Sequence, residues 1–246
     1  MTLSSLYTKD FFELHQTGMN LSARALVPIV FELTHPTSVI DVGCGTGAFL
    51  RVFHEYGVHE ILGIDGDYVD RRQLAIPQER FQAIDLSLPF SLERTYDLAI
   101  CLEVAEHLAP ACAHDFIASL TRVAPVILFS AAIPFQYGVH HVNEQWPDYW
   151  VQLFREQGFF PVDALRKRIW NDSQIEVWYR QNSMFFCTEH ALATNDVLAR
   201  EFNATNPDML SIVHPETYKQ MHEWALRYNT RPMNIGKSLV KMLLRK

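Results

Sequence analysis

The sequence predicts an α/β fold: a mostly parallel seven-stranded sheet with an antiparallel edge strand, helices on both faces, and helical segments at both ends. Three observations carry this. From residue 38 onward, short β-branched runs alternate with helix-like stretches, and that alternation is the signature of a parallel sheet covered by helices. Most of these runs are apolar on both faces, as strands sandwiched between helices must be. The chain has 246 residues, 48% apolar and 20% charged, which suffices for one large globular domain.

Residues 1–35 read as two helices, because Leu6, Phe11 and Leu14, then Leu21, Ala25, Leu26, Ile29, Val30 and Leu33, recur near a 3.6-residue period. Pro28 is expected to weaken or kink the second, and Pro36 to end the segment. Five strand-length runs follow: SVIDV, ILGID, RFQAID, YDLAICL and PVILFSAA, each bounded by Gly, Pro or Asp. A helix is expected over Ala48 to Tyr56. After Ala132 the pattern loosens into a loop, IPFQYGVHHVNEQ, and a helix is expected from Pro147 to Gly158. Two last strands are expected near Phe159–Arg168 and Ile175–Cys187, paired through the turn residues Asn171-Asp172-Ser173. Residues 188–246 read as a helical appendage. With no clean linker, the expectation is one domain over 1–246, its core at 36–187.

Charge and cysteine content narrow the function. Twenty-one basic against 28 acidic residues give a net charge of −7, unfavourable for binding nucleic-acid phosphates. The four cysteines form no CxxC pair, so buried thiols and a cytoplasmic protein are expected. The opening residues carry no secretory leader pattern. The longest apolar stretch, Val123 to Phe135, is broken by two prolines and a serine, too short to span a bilayer. The basic end GKSLVKMLLRK could at most graze an anionic surface. Oligomeric state is not legible.

The strongest chemical signal is Asp41-Val42-Gly43-Cys44-Gly45-Thr46-Gly47, between a strand and a helix. Alternate glycines permit positive φ and let backbone N–H groups approach a ligand, and the helix N-terminus adds partial positive charge. Such a loop can cradle a pyrophosphate or an amino-acid carboxylate. Read as G-x-G-x-x-A, it partly satisfies the dinucleotide fingerprint, with Asp65 for the ribose. Against that, Asp41 would repel a pyrophosphate and favour a sulfonium or ammonium.

The run VIDVGCGTG resembles motif I of the class I S-adenosylmethionine-dependent methyltransferases, and its companions follow in order: GIDGD, FQAIDL and YDLAICLEVAEHL. The resemblance implies a Rossmann-like methyltransferase fold with S-adenosyl-L-methionine held by Asp41, Gly43, Cys44, Gly45 and Gly47. It further implies Asp65 and Gly66 at the ribose, Asp85 and Leu86 at the adenine, and Glu103, Val104 and His107 near the methionine end, with Glu106 between. It covers roughly residues 36–190 and is similar to bacterial glycan and natural-product enzymes. A nicotinamide-dependent oxidoreductase and a non-catalytic donor-binding subunit are the rival classes.

Methyl transfer from a sulfonium is an in-line displacement, and a hydroxyl acceptor needs a base where an amine does not. The loop after the fifth strand carries His140 and His141, and imidazole titrates near neutrality. His141, preceding V-N-E-Q, resembles the usual position, so it is the expected base for O-methylation of a small-molecule or glycan hydroxyl, with His140 second. N-methylation of an amine is the alternative. Tyr7 and Phe11 at the N-terminus and Tyr137, Trp146 and Tyr149 near the loop could line the acceptor pocket. Trp150 and Phe154 are expected in the core. A metal held by His140, His141 and Glu144 is disfavoured, because adjacent residues rarely aim at one point and no matching acid cluster is evident. His107 and His114 read as a pair on one helix face or as lining of the active site rather than as metal ligands. No metal is expected.

Overall fold

The computed structural model describes residues 9–229, with side chains described over 17–226. Tyr7, the Phe11 side chain and the basic C-terminal run lie outside the described residues. The rest separates into two compact units, through Ile212 and from Val213 onward. The second holds one described helix, α9 (Pro215–Asn229).

In the first unit the strands are β1 (Ser38–Val42), β2 (Glu60–Asp65), β3 (Phe81–Ala83), β4 (Leu98–Leu102), β5 (Val126–Ser130), β6 (Phe159–Val162) and β7 (Met184–Thr188). They form one sheet in the order β3-β2-β1-β4-β5-β7-β6. The first five run parallel, and β7 is antiparallel to both β5 and β6. The reversed strand is therefore one place in from the edge, and β6 forms the edge itself.

Period-two alternation sends each central strand into two cores. Val39, Leu98, Ile100, Leu128 and Phe185 enter one cluster. Ile40, Val42, Ala99, Cys101, Ile127, Phe129 and Phe186 enter the other. Helices α1 (Lys9–Thr34) and α2 (Ala48–Glu55) supply the first cluster, and α3 (Ala113–Leu120) and α4 (Pro147–Glu156) the second. Trp150 and Phe154 are buried as expected. Phe154 stacks on Phe186 with ring centroids 3.8 Å apart. All four cysteines are free thiols.

Three local expectations are corrected. The N-terminal segment is one helix that continues through Pro28. Burial of Ala23, Leu26, Val27, Val30 and Leu33 along one face outweighs the hydrogen bond that the proline removes. The expected hairpin around Asn171–Ser173 does not form. After β6 the chain makes α5 (Arg166–Ile169) and α6 (Val177–Asn182) before β7. Asp172 does build a turn, its Oδ1 accepting from Gln174 N at 2.9 Å, but the turn joins two helices. Buried Arg166 fixes that connection, with both Asp163 carboxylate oxygens at 2.7–2.9 Å and the Leu210 carbonyl at 2.7 Å. Finally, His107 ends a 3-10 turn, Ala105–His107, whereas His114 lies on α3, so they share no helix face. The described residues after 188 carry the expected helices: α7 (Glu189–Thr194), α8 (Asp196–Ala204) and α9. Among the described residues no helix is long and apolar enough to cross a membrane.

Candidate active site

Ligands of open α/β sheets bind beyond the carboxyl ends of the strands, where β1, β2, β3 and β4 deliver most of the expected residues. At the end of β1, Gly43, Gly45 and Gly47 take φ of +83°, +52° and +81°. Gly43 N and Cys44 N both donate to the Ile64 carbonyl, at 2.8 and 3.2 Å, pinning the loop to β2. A Cβ on Gly43 would lie 2.3 Å from Val104 Cγ2, and one on Gly47 2.9 Å from Ile76 Cγ1. A Cβ on Gly45 would meet nothing within 4 Å. Two of the glycines thus serve packing, while the third faces open space. Gly47 is the N-cap of α2, and no side chain caps that helix.

Asp41 is buried between Gly63 of β2 and Ile100 of β4. Burial, then the Asp65 charge, pushes its carboxyl well above the usual range. Asp65 ends β2 and accepts from Gly45 N and Gly66 N, both at 2.7 Å, and from the Tyr68 hydroxyl at 2.5 Å. Beyond β3, exposed Asp85 forms a turn with Ser87, accepting from its N at 3.0 Å and its Oγ at 2.6 Å. These bonds hold Asp85 below the usual carboxylate range, and Leu86 beside it is buried.

At the end of β4, Glu103 has φ +56°, and its N–H donates to Ser130 O and Oγ at 3.0 and 3.1 Å. Its carboxylate accepts from Gln136 Nε2 and Asn182 Nδ2, each at 3.1 Å. Gln136 Oε1 in turn accepts from Asn182 Nδ2 at 3.0 Å, and Gln181 Nε2 donates to Asn182 Oδ1 at 2.8 Å. Burial raises the Glu103 carboxyl. Burial and the Glu103 charge together push Glu106 well up.

The loop after β5 folds back over this end of the sheet. Of the five described non-glycine residues with positive φ, three lie in it: Phe135, Tyr137 and His140. Such backbone is costly and persists only where the surroundings dictate it. The fastening is visible: the Glu106 carbonyl accepts from Val142 N and Asn143 N at 2.9 and 3.0 Å, and Ala132 O from Gln145 N at 3.2 Å. His141 is thereby set against His107, ring centroids 4.9 Å apart and edge-to-face. Its Nδ1 lies 3.0 Å from Glu144 Oε1, and Glu144 Oε2 accepts from Phe135 N at 2.8 Å. Burial and the facing His141 lower the His107 imidazole. Glu106, His107 and His141 bring ligand-type atoms within 4.8 Å of one another. The acid in this group comes from the β4 turn, whereas the metal reading of the sequence drew its acid, Glu144, from the histidines' own loop. His140 and Glu144 are not part of that group.

Tyr137 and Trp146 are exposed, and Tyr149 packs edge-to-face on Trp150 at 4.9 Å against the core. The sequence reading missed Gln136, Gln181 and Asn182. The only trace was a polar run, Arg180-Gln181-Asn182-Ser183, directly before the apolar strand β7.

The family model described as a methyltransferase domain matches residues 15–178. The chain belongs to that family. With motif I and its companions at the ends of β1 to β4 in this fold, it is a class I, S-adenosylmethionine-dependent methyltransferase. Solved structures with the same fold include the sugar N-methyltransferase KedS8 from Streptoalloteichus, at 14% identity, 72% of this chain, 92% of that chain and TM-score 0.54. Streptomyces venezuelae DesVI follows at 13%, 73%, 96% and 0.53. The amino pentose methyltransferase CalS10 from Micromonospora echinaspora matches at 16%, 73%, 97% and 0.51. At these identities the likeness is one of fold. A search of the curated proteins found no match.

Proposed function

We propose that this methyltransferase methylates a hydroxyl group of a small molecule or glycan, with His141 as general base. When bound, S-adenosylmethionine supplies a methyl carbon activated by its sulfonium. The residues fit that donor: Gly45 faces open space, and the buried acids Asp41 and Asp65 suit a ligand carrying a cation and a ribose diol. Asp65 with Gly66 would hold the ribose, and Asp85 with Leu86 the adenine. Gly43, Cys44 and Gly47 shape the loop. Asp41, Glu103, Val104 and His107 would surround the methionine end, and Tyr137, Trp146 and Tyr149 the acceptor.

The observation that carries the base assignment is the 3.0 Å contact between His141 Nδ1 and Glu144 Oε1. A carboxylate there fixes the tautomer with the proton on Nδ1 and leaves the Nε2 lone pair to take a hydroxyl proton. Glu144 is itself anchored by Phe135 N, so the ring is oriented before an acceptor arrives. The test is release of S-adenosylhomocysteine with matched hydroxy and amino sugars. On a hydroxyl acceptor, His141→Ala is expected to cut kcat by about 10²–10⁴-fold. A second reading, methylation of an amino sugar, draws on the sugar N-methyltransferase and amino pentose methyltransferase sharing the fold. Turnover of the amine only, with His141→Ala near wild type, would decide for it.

A further inference from the structure

We propose that Glu106, His107 and His141 form a binding site for one divalent first-row transition-metal ion. One carboxylate oxygen and two imidazole nitrogens are a donor set that suits such ions, and here they lie within 4.8 Å of one another. Divalent ions take these donors at about 2.0–2.2 Å, so side-chain shifts of about 1 Å close the set around one ion.

Two further observations point to a ligand rather than to a chance cluster. Glu106 is fully buried, and neither of its carboxyl oxygens meets a hydrogen-bond partner of normal geometry; the Glu103 carboxyl and the backbone N–H groups of Glu106 and Ala132 are its polar neighbours. A buried carboxyl group in that condition costs free energy unless something compensates it. His141, in turn, has the outer partner that metal-bound histidines have: Nδ1 meets the Glu144 carboxylate at 3.0 Å, which aims the lone pair of the other nitrogen inward. The two segments bearing the ligands are tied by backbone bonds from Val142 and Asn143 to the Glu106 carbonyl. His107 is exposed, giving an ion a way in.

This inference does not rest on the base assignment, and in the metal-loaded protein it replaces it. With an ion bound, His141 Nε2 becomes a ligand, and a hydroxyl coordinated to the ion would lose its proton more readily. The test uses full-length protein stripped with a chelator and titrated calorimetrically with Zn²⁺ and, separately, Mn²⁺. One equivalent is expected to bind. Glu106→Gln and His107→Gln should weaken binding more than about tenfold, and Glu144→Gln, acting through His141, about tenfold or more. His114→Ala, an exposed residue of α3, is the control and should change nothing. Co²⁺ loading adds a visible absorption band that should vanish in Glu106→Gln. If no ion binds stoichiometrically, or all variants bind alike, the proposal is wrong. Circular dichroism of each variant separates lost ligation from lost fold. Because the readout is binding, failure here leaves the base assignment to its own kinetic test.

Discussion

Gly43 and Gly45 occupy one loop and both have positive φ, yet alanine should cost mainly stability at the first and mainly donor binding at the second. At either site an L side chain in the left-handed region costs about 1–2 kcal/mol. At Gly43 the new Cβ also lies 2.3 Å from Val104 Cγ2. Val104 is β-branched, with little rotamer freedom to yield, so an overpacking cost of about 1–3 kcal/mol is added. Gly43→Ala should therefore lose about 2–5 kcal/mol, and Gly45→Ala, with nothing within 4 Å, only the backbone cost. For a domain of this size these amount to melting-temperature losses of roughly 10 °C and roughly 4 °C. Donor binding should rank differently: the Gly45 methyl projects into the space left for the donor, so Gly45→Ala should lose affinity for S-adenosylhomocysteine out of proportion to its stability. Thermal melts and calorimetric titration of both variants suffice. A Gly45→Ala protein that binds the nucleoside normally would refute the assignment of this loop as the donor cradle. Equal melting temperatures for the two variants would refute the packing account of Gly43.

Two more outcomes follow from the same coordinates. Folding raises the Glu106 carboxyl above its unfolded value through burial and the Glu103 charge, so its protonated form contributes stability that is present in acid and lost as pH rises through the folded value. In metal-free protein Glu106→Gln should therefore gain stability relative to wild type as pH goes from 5 to 8, read from melting temperatures; parallel pH profiles would contradict this. Phe154→Ala removes a fully buried ring stacked on Phe186 and should cost about 3–5 kcal/mol in urea unfolding, whereas a loss under about 1 kcal/mol would mean that the core has collapsed around the gap.

Local chemistry made much of the molecule legible in advance. The five parallel strands, the glycine loop, and the acids at the ends of β1, β2 and β4 are each specified within a few residues, by short β-branched runs apolar on both faces and by backbone that only glycine adopts cheaply. The α4 boundary was equally plain, with Pro147 opening it and Gly158 following at φ +79°. What could not be read were choices between locally equal options. Asn171–Ser173 encodes a turn whatever it connects, and only the packing of Leu165, Ile169, Ile175 and Tyr179 into the core decides for helices there. Pro28 signals a weakened or kinked helix, and burial of the surrounding face carries α1 through it.

The candidate site divides along the same line. Motif I, Asp65 and Asp85 lie within short contiguous runs, so sequence alone determined their type and order. The grouping of Glu106 and His107 with His141, and of Glu103 with Gln136 and Asn182, joins residues 33 or more positions apart. It exists because β4 and β5 are neighbours and the loop after β5 is bonded to the Glu106 carbonyl. Sequence periodicity reports which face a residue takes; which distant loop meets that face is set by strand order and burial, and these belong to the folded chain as a whole.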